Sequence, residues 1–181
     1  SLLKQSKTNT ITSEMIFTTT NYIHSIVEGS FCVNIIIEGY GMISIRDRCG
    51  IRPLIWGMKN KNINLVCSES TVLNILDFEI IRDVNSGETI IFEDSGHIQN
   101  HHFEYSVLTP CLFEYIYFAR SDSILDNINV LDARISIGQI MGKHIMNNIN
   151  EVIDVIVPVP DTSITFANGI QFLVKEGIIS V

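Results

Sequence analysis

The chain has 181 residues, 46% of them hydrophobic and 18% charged, with a formal net charge of −8. That apolar content supports a packed core and excludes a disordered chain. The acidic balance excludes nonspecific nucleic-acid binding, which rests on neutralising phosphates, and no apolar run approaches the ~20 residues that span a bilayer. The first element predicted along the chain is a helix capped by Ser13 and running to about Val27, with Ile16, Tyr22, Ile23, Ile26 and Val27 on its apolar side. Phe31 to Ile37 is almost continuously apolar and reads as a strand buried on both faces. Gly39-Tyr40-Gly41 turns it into a hairpin partner over Met42–Arg46. Leu54–Gly57 and Asn64–Ser68 follow as short strands around the polar turn Lys59-Asn60-Lys61-Asn62. Ser68-Glu69-Ser70 opens a short helix to Leu76. Phe78–Ile81 and Glu88–Phe92 read as strands around Asn85-Ser86-Gly87, and Asp94-Ser95-Gly96 leads into a last strand at His97–Gln99.

The rhythm then changes. Pro110–Ser123 is aromatic and apolar but carries Cys111, Glu114, Tyr115, Tyr117 and Arg120. Such polar tips inside an apolar run predict a buried, paired network, because lone buried charges are costly. Val130 to about Met146 is predicted as a helix with Leu131, Ile135, Ile140, Ile145 and Met146 among its apolar positions. Ile153–Pro158 fits a fully buried parallel strand. Asp161-Thr162-Ser163 turns the chain into a helix from Ile164 to about Lys175. Many short antiparallel strands followed by helix–strand–helix predict an α+β part and then the start of an α/β part.

Three places are candidates for chemistry. The turn Arg46-Asp47-Arg48-Cys49-Gly50-Ile51-Arg52-Pro53 is either a charged surface hairpin or a device aiming Arg52 inward at a carboxylate. Ser68-Glu69-Ser70 is either a helix cap or a polar lining. Pro158–Ser163 follows a strand and precedes a helix, so Asp161, Thr162 and Ser163 lie where open α/β sheets bind ligands and where a phosphate or hydrated Mg²⁺ is met. A proline-stiffened loop is the competing reading. The cysteines Cys32, Cys49, Cys67 and Cys111 form no C-x-x-C pair and read as buried, reduced thiols. His24, His97, His101, His102 and His144 show no ligand spacing, and the adjacent His101-His102 read as a surface loop.

An ordered series of segments resembles the amidophosphoribosyltransferase family. It comprises Gly41-Met-Ile-Ser-Ile-Arg-Asp47, Gly50-Ile-Arg-Pro-Leu54, Ser68-Glu-Ser70, Phe78-Glu-Ile-Ile-Arg-Asp-Val84 and Gly87-Glu88. It continues through Pro110-Cys-Leu-Phe-Glu-Tyr-Ile-Tyr-Phe-Ala-Arg120, Asp132-Ala-Arg134 with Gly138, and Asp154-Val-Ile-Val-Pro-Val-Pro-Asp161. The resemblance implies that residues 1–108 are the C-terminal part of an N-terminal-nucleophile (Ntn) hydrolase glutaminase. Residues 109–181 would begin a type I phosphoribosyltransferase domain. It implies the first step of de novo purine synthesis, with glutamine and phosphoribosyl pyrophosphate (PRPP) as substrates and Mg²⁺ as cofactor. Ser163 then belongs to the Mg²⁺–PRPP site, with Asp161 and Thr162 beside it, and Tyr117 and Arg120 couple PRPP binding to the glutaminase. Cys111 matches the first ligand of the [4Fe–4S] cluster that one branch of the family carries; another branch keeps this cysteine without a cluster, and the other ligands are expected downstream. Purine nucleotides are implied as feedback inhibitors, a dimer or tetramer as the assembly, and the cytoplasm, or a plastid in a plant, as the location.

The resemblance has departures. Asp47-Arg-Cys-Gly50 stands where the family usually has Asp-Pro-Asn-Gly, and Ala119-Arg-Ser-Asp-Ser123 where it has Ala-Arg-Pro-Asp-Ser. The family's glutaminase nucleophile is a cysteine at the mature N-terminus, whereas this chain opens with Ser1, and the family's PRPP loop of paired aspartates is expected beyond Val181. The segment is therefore expected to be an internal piece, inactive alone. A non-catalytic relative serving as an interaction or regulatory domain is the alternative.

Overall fold

The computed structural model describes residues 11–172 and the backbone of 179–180. The chain divides at Cys111/Leu112 into two compact units.

In the first unit, helix α1 (Ser13–Ile26) is capped by Thr12, whose hydroxyl accepts from the Met15 N–H at 3.3 Å, rather than by Ser13. Strands β1 (Cys32–Ile37), β2 (Gly41–Arg46), β6 (Glu88–Glu93) and β7 (Ile98–His102) form an antiparallel sheet in the order β1-β2-β6-β7. Strands β3 (Ile55–Lys59), β4 (Ile63–Cys67) and β5 (Glu79–Asp83) form a second sheet in the order β4-β3-β5. Helix α2 (Ser70–Ile75) packs Leu73 against β3, where Gly57 leaves room for it. The hairpins follow their turn chemistry, with Asn60 and Lys61 both at positive φ between β3 and β4.

The strand buried on both faces is β6, not the Phe31–Ile37 segment. Ile90 and Phe92 pack with Leu54, Val66 and Val84 on one side, and Ile91 joins Ile43, Ile45 and Ile16 of α1 on the other. Strand β1 pairs with β2 alone and sits at the sheet edge, so its isoleucines stay largely exposed. An apolar run shows affinity for a core, and strand order decides whether it lies in the middle. The buried stripe of α1 is also displaced from the apolar one. Ile16, Thr20 and His24 face inward, while Tyr22 and Ile26 face out beside an apolar groove of about 480 Å³ bordered by Met15, Ile23, Ile35 and Ile37.

Strands β5 and β6 are consecutive but lie in different sheets. The Asn85-Ser86-Gly87 turn is therefore a crossing between layers, not the loop of a hairpin. His101 and His102 belong to β7 and point to opposite sides, rather than lying in a loop.

The second unit opens with a π-helical turn at Glu114–Phe118. A small hairpin of β8 (Ile124–Leu125) and β9 (Ile128–Asn129) follows, turned by Asp126 and Asn127 at positive φ. Asn129 caps helix α3 (Val130–Asn148) by accepting from the Asp132 N–H. Strand β10 (Val155–Ile156) pairs in parallel with β11 (Ile179–Ser180), and α4 covers Ser163–Gln171. The predicted continuation of α4 to Lys175 lies outside the described residues. The parallel pairing is as expected, but Val155, Val157 and Val159 are exposed rather than fully buried, since β10 has one paired neighbour among the described residues. The inward stripe of α3 is Val130, Arg134, Gly138 and Gly142, while the expected core positions Ile140 and Met146 are exposed. Two glycines let α3 and α4 meet backbone to backbone, with an ideal Cβ on Gly138 falling 3.0 Å from the Gly169 Cα.

Candidate functional site

The first unit carries a few of its charges inside. Arg46 closes β2, is 1% exposed, and donates from Nε to the Arg52 carbonyl (2.9 Å), from Nη1 to Val84 (2.6 Å) and from Nη2 to Gly50 (2.9 Å). One guanidinium thus joins the four-stranded sheet to both ends of the second sheet's connections. Asp47 is fully buried, and its carboxylate accepts from the Cys49 and Ile51 N–H groups while its carbonyl accepts from Gly50 and Gly87. Gly50 needs its φ of +57°, and a Cβ there would fall 2.9 Å from Leu108 and 3.2 Å from the Arg46 guanidinium. Both sequence readings of this turn are corrected: it is not a surface hairpin, and the inward arginine is Arg46, since the Arg52 side chain lies on the exposed side. The available signal was Gly50, a turn glycine four residues after a charge that ends an apolar strand. At Ser68-Glu69-Ser70, Glu69 occupies the cap position of α2 and makes no side-chain cap bond, while Ser70 is buried.

A second buried charge repeats the theme. Glu88 of β6 has no exposed surface and receives Arg82 of β5 in a two-pronged pair at 2.7 Å each, plus the Asn85 N–H and the Asn100 amide. Arg82 lies 5.7 Å over the Trp56 ring. Burial pushes the Glu88 carboxyl up, but Arg82, Asn100 and the Asn85 N–H outweigh it and hold the group below its ordinary 4.5. The unfolded chain therefore takes up a proton before the folded one. Glu88 contributes stability that is complete above about pH 4.5 and is lost as pH falls toward its folded value. Urea midpoints measured from pH 6 to pH 3 should fall steeply below 4.5 in the native chain. They should fall less in Glu88→Gln, which starts about 2 kcal/mol weaker at neutral pH from the lost charged hydrogen bonds. Parallel acid limbs in the two proteins would rule this out.

In the second unit the crowded Pro110–Ser123 segment is sorted rather than wholly buried. Glu114, Tyr115, Ala119 and Ser123 are buried, whereas Tyr117 is 65% exposed and Arg120 pairs with Asp122 at the surface (3.0 Å). The buried partner is Arg134 of α3, whose guanidinium donates to the Tyr115 carbonyl (2.6 Å), the Ala119 carbonyl (2.8 Å) and Ser121 Oγ (3.0 Å). Sequence reasoning quoted Arg134 in a motif without a role. Its spacing of four from Val130 and Gly138 was the signal that it lies on the buried stripe.

Asp161, Thr162 and Ser163 come together at the end of β10 and the start of α4. Asp161 is exposed, Thr162 holds the cap position without a side-chain cap bond, and Ser163 Oγ donates to the Val159 carbonyl. The first turn of α4 has no side-chain cap, its Ile164 N–H donates to the Asp161 carbonyl (3.3 Å), and it stands beside an exposed carboxylate and a hydroxyl. This set fits a phosphate oxygen and a hydrated divalent ion. Cys111 is half-buried, and its N–H donates to Ile51 in a short ladder that also joins Val107 to Arg48 and Thr109 to Cys49. No group of three or more His, Cys, Asp or Glu side chains gathers as a metal-binding set among the described residues. A [4Fe–4S] cluster needs four thiolates, a set that the described residues do not gather. No helix among the described residues is long and apolar enough to cross a membrane.

An antiparallel two-sheet unit is thus followed by a unit of helices with a short parallel strand pair, which defines a mixed protein of antiparallel sheets and helices. The amidophosphoribosyltransferase of Haemophilus influenzae is 38% identical over 159 residues, 84% of this chain and 32% of the relative. That of Escherichia coli is 37% identical over 161 residues (86% and 32%), and that of Saccharomyces cerevisiae 32% over 166 residues (87% and 32%). The structure superposes with a TM-score of 0.79 and 29% identity on a glutamine PRPP amidotransferase from B. subtilis complexed with ADP and GMP, covering 96% of this chain and 36% of that one. No family model matches. On this kinship the chain belongs to the amidophosphoribosyltransferase family, and it spans about a third of the length of the curated relatives it matches.

Proposed function

We propose that the protein carrying this chain is an amidophosphoribosyltransferase. It would hydrolyse the glutamine side-chain amide to glutamate and ammonia. The ammonia nitrogen would then attack C1 of PRPP, the C1–O bond to pyrophosphate would break, and 5-phosphoribosylamine would leave. The observation that carries this reading is 32–38% identity to named enzymes over most of the chain, together with the uncapped turn at Ser163. Residues 1–108 are read as glutaminase of the Ntn-hydrolase type and 109–181 as the start of the phosphoribosyltransferase. This chain's contribution is to binding: the Ser163 hydroxyl, turned from the Val159 carbonyl to which it donates here, would join N–H groups of the first turn of α4 in holding a PRPP oxygen, with Asp161 and Thr162 orienting the metal's water shell. Mg²⁺, arriving with PRPP, would neutralise the departing pyrophosphate.

Tyr117 and Arg120, both exposed, are read as the groups that report PRPP occupancy to the glutaminase. Feedback by purine nucleotides accords with the ADP and GMP of the solved relative. A homo-oligomer, dimer or tetramer, in the cytoplasm or a plant plastid completes the reading. The departures at Asp47-Arg-Cys-Gly50 and Ala119-Arg-Ser-Asp-Ser123 favour a second reading, a non-catalytic relative acting as an interaction or regulatory domain. Pyrophosphate and glutamate release by the full-length protein decides between them. The enzyme reading expects PRPP-dependent turnover. Ser163→Ala should lower kcat/KM for PRPP about tenfold to a hundredfold, the worth of one charged hydrogen bond. Tyr117→Ala should keep turnover with added ammonia but lose the stimulation of glutaminase by PRPP. Absence of turnover in the full-length protein would leave the second reading standing.

A further inference from the structure

Helix α1 meets the four-stranded sheet through Ile16, Thr20 and His24, one turn apart. Ile16 enters the isoleucine layer and the Thr20 hydroxyl is satisfied by the Phe17 carbonyl. His24 has no such account. It is 1% exposed, its ring stacks 5.3 Å from Phe103 and lies 5.5 Å from Phe31, and neither ring nitrogen has a hydrogen-bond partner. A buried imidazole with both nitrogens unmet is uncommon, because each unmet polar group costs free energy.

The charged and titratable groups around it come from two elements. Asp47 and Arg48 lie in the turn after β2, and His101 lies on β7. The Asp47 carboxylate is already taken by the Cys49 and Ile51 N–H groups. His101 is held by the Asn21 amide at 3.0 Å and leans on Phe17. No carboxylate is therefore placed to accept a second imidazole N–H. Burial pushes His24 below its ordinary 6.5; Asp47 pulls the other way, and Arg48 and His101 add to the effect of burial.

We propose that His24 makes the seating of α1 proton-controlled: an imidazolium walled between Phe31 and Phe103 loosens α1 from the sheet and uncovers Ile43 and Ile45 beneath it. The sign follows from where the proton is held. Seated α1 keeps His24 neutral and the released helix lets it protonate near its ordinary 6.5, so opening gains as pH falls below that value and is suppressed above it. For one proton, the opening constant rises about tenfold between pH 7.5 and pH 5.5. The acid loss at Glu88 lies below pH 4.5 and does not overlap this range.

Backbone hydrogen exchange of the chain, corrected for the intrinsic pH dependence of exchange, tests the proposal. From pH 7.5 to pH 5.5, protection across Phe17–Ile26 should fall about tenfold while Glu88–Glu93 stays constant, and His24→Phe should abolish the fall. Protection of α1 that ignores pH, a loss shared equally by β6, or a fall that persists in His24→Phe overturns it. If His24→Phe does not fold, His24→Leu serves as the control, and the comparison of α1 with β6 in the native chain decides by itself.

Discussion

Arg46→Met should cost about 3–5 kcal/mol, the largest loss expected of any single substitution in the first unit. The side chain is buried and its guanidinium serves three backbone carbonyls, those of Gly50, Arg52 and Val84. Methionine fills similar volume but donates nothing, so the buried Gly50 and Val84 carbonyls lose this donor and Arg52 keeps the weak Cys32 thiol, at about 1–3 kcal/mol for each acceptor left unpaired before relaxation. The carbonyls belong to connections leading into β3 and out of β5, so the damage falls on the joint between the two sheets. With total stabilities of about 5–15 kcal/mol, such a loss approaches the whole margin. Arg46→Lys keeps the charge but cannot reach three diverging acceptors, and an intermediate loss is expected. Denaturant midpoints of the three proteins check this. A methionine variant within about 1 kcal/mol of the native chain would mean that water enters and satisfies those carbonyls.

Gly138→Ala should destabilise the second unit by about 2 kcal/mol, although alanine in a helix interior normally gains about 0.5–1 kcal/mol over glycine. The added Cβ meets the Phe166 carbonyl oxygen and comes 3.0 Å from the Gly169 Cα, and neither backbone group can rotate away. Helices α3 and α4 must therefore separate, which strips the contacts around Ala167 and Ile170. Gly142→Ala is the internal control. Its Cβ meets Ile170 at 3.3 Å or more, so the gain in helix propensity offsets the crowding and a change near zero is expected. Thermal or denaturant midpoints for the pair should differ clearly, and equal effects would exclude backbone contact as the cause.

Both substitutions fall on residues that the sequence quoted inside motifs without giving them a task. Elements were legible because periodicity and turn chemistry are local: the Asn60-Lys61 turn, the Tyr40 hairpin and α3 stand close to where their residues place them. The place of Ser163 at the start of α4 was legible for the same reason, since strand, proline-bearing turn and helix lie within a few residues of one another. Burial was not legible in this way. The Cys32–Ile37 run is more apolar than β6, yet β6 is enclosed and β1 lies at the edge. Likewise Ile140 looks like core and is exposed, while Arg134 looks like surface and is buried.

What the sequence by itself determined was the succession of elements, the change of rhythm after Pro110, and the family, because these depend on neighbouring residues and on ordered motifs. Tertiary structure alone decided which charges go inside. Arg46, Glu88 and Arg134 are buried because each meets fixed backbone or side-chain partners from other segments of the chain, and only that meeting offsets the cost of removing a charge from water. The same holds for His24, whose lack of partners appears only when Phe31 and Phe103 close around it.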